Sequence, residues 1–96
     1  MEALGGFIKC YLNVEVAYDG LMPRVRSTIR MSTPEWGEAI RRELEQALSE
    51  RPYSVVDYLQ MTWIEFESED ALYAYLERVF HYLFAGGEEV PLPPED

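Results

Sequence analysis

Of 96 residues, only one is cysteine, one is histidine and eight are basic. Cys10 by itself rules out an intrachain disulfide and a cysteine-rich zinc site. His81 by itself leaves neither HExxH nor HxxxH, so a zinc centre has no spacing to rest on. No G-x-G-x-x-G and no Walker loop is present, and the Gly86-Gly87 pair reads as a helix stop and not a phosphate cradle. The carboxylates Asp57, Glu65, Glu67, Glu69 and Asp70 lack the D-x-[DN]-x-[DN]-G order of a calcium loop. No apolar run approaches the roughly 18 residues of a membrane span. The first residues lack the basic n-region of a signal peptide. A reducing cytosol is therefore the expected setting.

The scarcity of basic residues has its own consequence. Eighteen acids against eight bases leave a net charge of −10. Phosphate backbones and anionic membrane surfaces repel such a chain, so no direct nucleic acid and no membrane is expected as a partner. The imbalance is uneven. The first fifty residues hold six bases and eight acids, whereas residues 51 to 96 hold two bases and ten acids, a net of −8. Either the charge serves solubility, or it draws a basic partner, including a protein that itself holds nucleic acid.

What the chain does have is apolar and aromatic material. The hydrophobic fraction is 48%, mean hydropathy is −0.23, and seven Tyr, four Phe and two Trp are present. That is too apolar for an acidic disordered tail. A single domain over residues 1–96 is expected, with 1–6 and 93–96 loose.

Alternation dominates two early stretches. Ile8, Cys10, Leu12, Val14 and Val16 share one side of a first strand, which makes Cys10 a buried filler. After the Asp19-Gly20 turn, Val25, Ser27, Ile29 and Met31 share one side of a second. The opposite face then gathers Lys9, Arg24, Arg26 and Arg30. This basic patch on an acidic chain is a solvated face, a dock for acidic protein surface, or a small-anion site. Thr33-Pro34-Glu35 starts a helix from Pro34 to about Ser49, with Trp36, Ile40, Leu44, Ala47 and Leu48 as its apolar stripe. On its wet side, Glu38 with Arg42 and Arg41 with Glu45 are spaced to pair. Pro52 ends it, and residues 53–58 are either a short strand or a loop plug.

Gln60 to Glu67 reads as a third strand, with Thr62, Ile64 and Phe66 inward and Met61, Trp63, Glu65 and Glu67 outward. Ser68 caps a second helix, which runs to Gly86-Gly87. Leu72, Leu76, Val79, Phe80 and Leu83 form its stripe. Tyr73, Tyr75, Tyr82 and Phe84 widen it beyond what one sheet face needs. The phrase F-E-S-E-D-A-L-Y-A-Y-L, about a tenth of the chain, is similar to phrases in ferredoxin-like and dimeric α+β-barrel domains. It carries over no functional residue.

Together these features predict an α+β fold: a small antiparallel sheet of three to four strands, two helices on one face, order ββαβα. No catalytic, cofactor or metal residue is assigned. The protein-contact candidates are Tyr11, Met61 and Trp63 on the open sheet face, Arg24, Arg26 and Arg30 in the basic patch, and Tyr75, Tyr82 and Phe84 on the broad helix arc. The functional expectation is a small acidic regulator or inhibitor that binds another protein, similar to bacterial immunity proteins or phage-encoded inhibitors in size and charge alone. The alternatives are a homodimeric adaptor and a dimeric α+β barrel that binds or transforms a small ligand. A deep cleft that joins His81 to carboxylates would count against the lead expectation.

Overall fold

A computed structural model describes residues 2–94 and contains six α-helices, with no strand among them. They are α1 (Glu2–Tyr11), α2 (Val14–Tyr18), α3 (Met22–Met31), α4 (Pro34–Glu50), α5 (Val55–Thr62) and α6 (Glu69–Phe84). The α+β fold and its antiparallel sheet are therefore corrected to an all-α bundle. α1 packs on α4 and α5, α3 on α4 and α6, and α4 on α6.

The correction lies in the choice of period. Residues 7 to 17 carry an alternating pattern, but Leu4, Phe7, Ile8 and Leu12 also recur at helical spacing, and these four are buried. Asn13 divides what alternation joined. Its Nδ2 donates to the Lys9 carbonyl at 2.9 Å, ending α1, while its Oδ1 accepts from the Val16 N–H at 3.1 Å, starting α2. One amide thus serves two helix ends, the local bonding at which Asn excels. Glu2 already lies in α1 and Leu4 is fully buried, so residues 2 to 6 are not a loose lead-in. Cys10 is exposed, not a core filler.

The second expected strand is α3. Met22 and Val25 are buried with Ile29 packed beside them, a helical spacing of three and four. Pro23 sits in the first turn, where its missing N–H costs nothing. Met22 is fully buried in the core.

α4 follows the sequence closely. The Thr33 hydroxyl accepts from the Trp36 N–H at 3.3 Å, and Ile40, Leu44 and Ala47 are buried. Arg41, not Arg42, organises the charges outside: it pairs with Glu38 and, at 3.4 Å, with Glu45. Arg51 closes the helix in the left-handed region at φ 51°. Its guanidinium reaches Asp70 at 2.6 Å, which ties the loop to the start of α6.

Residues 53–58 prove to be neither strand nor plug: Ser54 caps α5, which begins at Val55. Ser54 accepts from the Asp57 N–H, and the Asp57 carboxylate accepts from the Ser54 N–H, both at 3.0 Å. The S-x-x-D spacing is the signal that the strand-or-plug reading overlooked. α6 is the central helix. Leu72, Tyr73, Tyr75, Leu76, Val79, Tyr82 and Leu83 are all buried, because α6 meets α3, α4 and the segment before it. Gly86, at φ 76°, turns the chain back. The His81 carbonyl then accepts from the N–H of Ala85 at 3.1 Å and of Gly87 at 2.8 Å. The tail lies against the bundle: Val90 packs on the core, Pro91 and Pro93 are buried, and the Tyr18 hydroxyl donates to the Pro94 carbonyl at 2.5 Å. Pro93 and Pro94 are thus not loose, and 95 and 96 lie outside the described residues.

Candidate functional site

The all-α core redistributes the contact candidates. Tyr75 and Tyr82 are buried, and Phe84 is half-buried against Phe80, with ring centroids 5.6 Å apart. The wide aromatic arc of α6 is therefore core, because a helix at the centre of a bundle buries more than one face. Tyr11 is half-buried and stacks on Phe7 at 5.3 Å, while its edge meets Trp36 at 5.9 Å. Met61 is half-buried and packs on the core.

The basic patch divides. Arg26 turns inward, with its guanidinium 4.2 Å from the Tyr82 ring centre, and donates to the Gly87 carbonyl at 3.1 Å. It holds the tail. Arg24 and Arg30 are exposed on α3 and make no ion pair among the described residues. Met31 lies with them at 86% exposure. Lys9 is on another helix, α1, so the sheet face that would have grouped all four does not exist.

Trp63 stands apart. It is 78% exposed, although a Trp buries a large apolar area whenever it can. Its main chain closes α5 at φ 65° and ψ 20°, in the left-handed region. That conformation costs a residue with a Cβ about 1 kcal/mol relative to glycine. The Trp63 N–H donates to the Leu59 carbonyl at 2.8 Å. The Thr62 hydroxyl donates to the Tyr58 carbonyl at 2.7 Å and accepts from the Ile64 N–H at 3.1 Å. The turn is held, and the indole points outward.

The next residues alternate. Ile64 and Phe66 are buried, while Glu65 and Glu67 are exposed. Phe66 is wedged between Tyr58, at 5.6 Å, and Tyr75, at 5.3 Å. Burial pushes the pKa of both phenols above the ordinary tyrosine range, so both stay neutral. Burial alternates from Thr62 to Glu67, but the third strand expected over Gln60 to Glu67 does not form: Gln60, Met61 and Thr62 are the last turn of α5, Met61 packs on the core, and the chain bends at Glu67. The outward side is a ledge of Trp63, Glu65 and Glu67, and Val56 is exposed on the preceding helix. Neither Glu65 nor Glu67 meets a cation within the described residues; the only carboxylates that Arg51 pairs with are Glu69 and Asp70.

One cleft, of about 400 Å³, opens between α6 and the tail. Arg78, His81 and Tyr82 form one wall, and Glu88, Glu89, Val90, Pro91 and Leu92 belong to the other. It does bring His81 near carboxylates. The imidazole is mostly exposed, however, and its ion-pair partner is Glu77, one turn back on α6, at 3.9 Å. Proton transfer needs a group held within about 2.6–3.2 Å of its target. The cleft holds no such pair and no cysteine or serine nucleophile. Among the described residues no cluster of three His, Cys, Asp or Glu side chains could hold a metal. None of the described helices is long and apolar enough to cross a membrane.

Sequence reasoning placed Met61, Trp63, Glu65 and Glu67 on one outward face; the last three are exposed, whereas Met61 packs on the core. It missed the left-handed turn beneath Trp63, for which Trp is an unusual residue. Comparison with known protein families, curated proteins and solved structures finds no match for this chain.

Proposed function

We propose that the chain is a small acidic protein-binding regulator or inhibitor that docks a basic protein through the ledge at Trp63. The observation that carries this reading is the exposed indole on a strained turn, flanked by carboxylates that lack an internal cation. A fold keeps a strained, exposed aromatic at a cost in stability, and such outliers cluster where a surface is used. Aromatics are the anchors of protein interfaces, and acids around them steer a basic partner in. The net of −8 over residues 51 to 96 extends the same attraction beyond the ledge. Affinity capture at low and high salt tests it. Wild type should retain a basic protein that salt releases, and Trp63→Ala and Glu65→Lys/Glu67→Lys should each lose it. Equal retention by all three overturns the reading.

A second reading is a homodimer in which α3 meets the acidic side of its twin. Unpaired Arg24 and Arg30 beside an exposed Met31 favour it. A solution mass measurement separates the two. The dimeric α+β barrel has no counterpart in an all-helical fold.

A further inference from the structure

The tail is fastened on both sides of the cleft that it forms with α6. At one end, the Gly87 N–H donates to the His81 carbonyl at 2.8 Å, and the Gly87 carbonyl accepts from Arg26, whose guanidinium also lies over the Tyr82 ring. At the other end, Pro91 and Pro93 are buried and the Tyr18 hydroxyl donates to the Pro94 carbonyl at 2.5 Å. The volume of about 400 Å³ lies in the range of small-molecule sites, about 300–1,000 Å³. Charge is divided between the walls. Arg78, on α6, is exposed and makes no ion pair among the described residues. Glu88 and Glu89, on the tail, are exposed and likewise unpaired. No ion pair crosses the cleft, although a cation lines one wall and carboxylates line the other. His81 differs, with Glu77 at 3.9 Å. Tyr82, Val90, Pro91 and Leu92 supply apolar lining between the same walls.

We infer that this cleft binds a small zwitterion with an apolar body, the chemistry shared by a free apolar α-amino acid and a dipeptide of such residues. Arg78 takes the carboxylate, a pairing for which the planar guanidinium is suited. Glu88 or Glu89 takes the ammonium. Tyr82, Val90 and Leu92 cover the side chain. A simple anion gains Arg78 but meets the two glutamates, and a simple cation meets Arg78. An uncharged apolar molecule strips water from charges and gives nothing back. A zwitterion satisfies both walls at once. The site shares no residue with the ledge at Trp63, so it stands or falls independently of docking there.

The test is an amide NMR titration of the full-length protein with leucine, leucyl-leucine, N-acetyl-leucine and leucinamide. Leucine or leucyl-leucine should shift the amides of Gly87, Glu88, Glu89, Val90 and Leu92 and saturate with a Kd of about 1 mM or below. Tighter binding of leucine assigns a free amino acid, and tighter binding of leucyl-leucine assigns a dipeptide; both support the inference. N-acetyl-leucine lacks the ammonium and leucinamide lacks the carboxylate, so each should bind about tenfold more weakly. Arg78→Ala should weaken leucine by about tenfold and leave leucinamide unchanged. Glu88→Gln/Glu89→Gln should weaken leucine similarly and leave N-acetyl-leucine no weaker. If the blocked forms bind as well as leucine, the cleft is an apolar crevice and the inference is wrong. If neither leucine nor leucyl-leucine moves these amides, it is equally overturned, while docking at Trp63 is untouched.

Discussion

The Tyr73 hydroxyl clamps the main chain of Tyr53 at both of its polar groups. It accepts from the Tyr53 N–H at 2.8 Å and donates to the Tyr53 carbonyl at 3.0 Å. This fixes the turn between α4 and α5 onto α6, alongside the Arg51–Asp70 pair. Tyr73→Phe removes both bonds and leaves two main-chain groups in need of partners. It should cost about 1–3 kcal/mol in urea unfolding. Tyr58→Phe is the contrast. Its hydroxyl is buried and no described protein group bonds to it, as is also true of Tyr75. Losing that oxygen should leave stability unchanged or raise it by about 1 kcal/mol.

Tyr58 and Tyr75 also set the alkaline limit. Burial holds both phenols above their ordinary value of 10.0. An acid with a raised folded pKa contributes full stability below its unfolded pKa and loses it as pH rises, because the unfolded chain ionises first. Stability should fall above pH of about 10, by up to about 1.4 kcal/mol per pH unit for each tyrosine. Unfolding midpoints measured across that range check it. A midpoint that stays flat while tyrosinate forms would contradict the burial of these rings.

Trp63→Gly should separate stability from binding. Glycine adopts a φ of 65° without penalty, so the variant should be about as stable as wild type or up to about 1 kcal/mol more so. Its affinity for a basic partner should drop by about tenfold or more, the range typical of an aromatic anchor. Loss of stability together with binding would mean that the indole supports the fold.

Gly87→Ala tests the tail. A Cβ at 87 would lie 3.0 Å from the His81 carbonyl oxygen and 3.1 Å from its carbon. Main chain cannot yield as a flexible side chain can. The substitution should loosen residues 88–94, destabilise by about 1 kcal/mol, and speed amide exchange there.

Helix ends marked by side-chain chemistry were legible: Thr33-Pro34, Ser68 and Gly86 each bound a helix where the residues indicated. The faces of 62–67 were legible too, because burial there follows the period-two pattern. The first third was not. Its apolar residues satisfy both periods, and only the dual role of Asn13 and the seating of Leu4 and Met22 decide between them. A single sequence does not display those long-range contacts. The same error placed Tyr75 and Tyr82 at the surface, although both are core, since a sheet fold would have left α6 one face to cover.

The seating of Pro91, Pro93 and Pro94 has a practical side. Immobilising the molecule through that stretch would peel it from α6 and unroof Tyr82 and Arg26. A tether or dye belongs instead on α4, at Gln46, which is exposed and belongs to neither the tail nor the α5–α6 turn. Attached there, it leaves both the tail and the indole as the fold presents them.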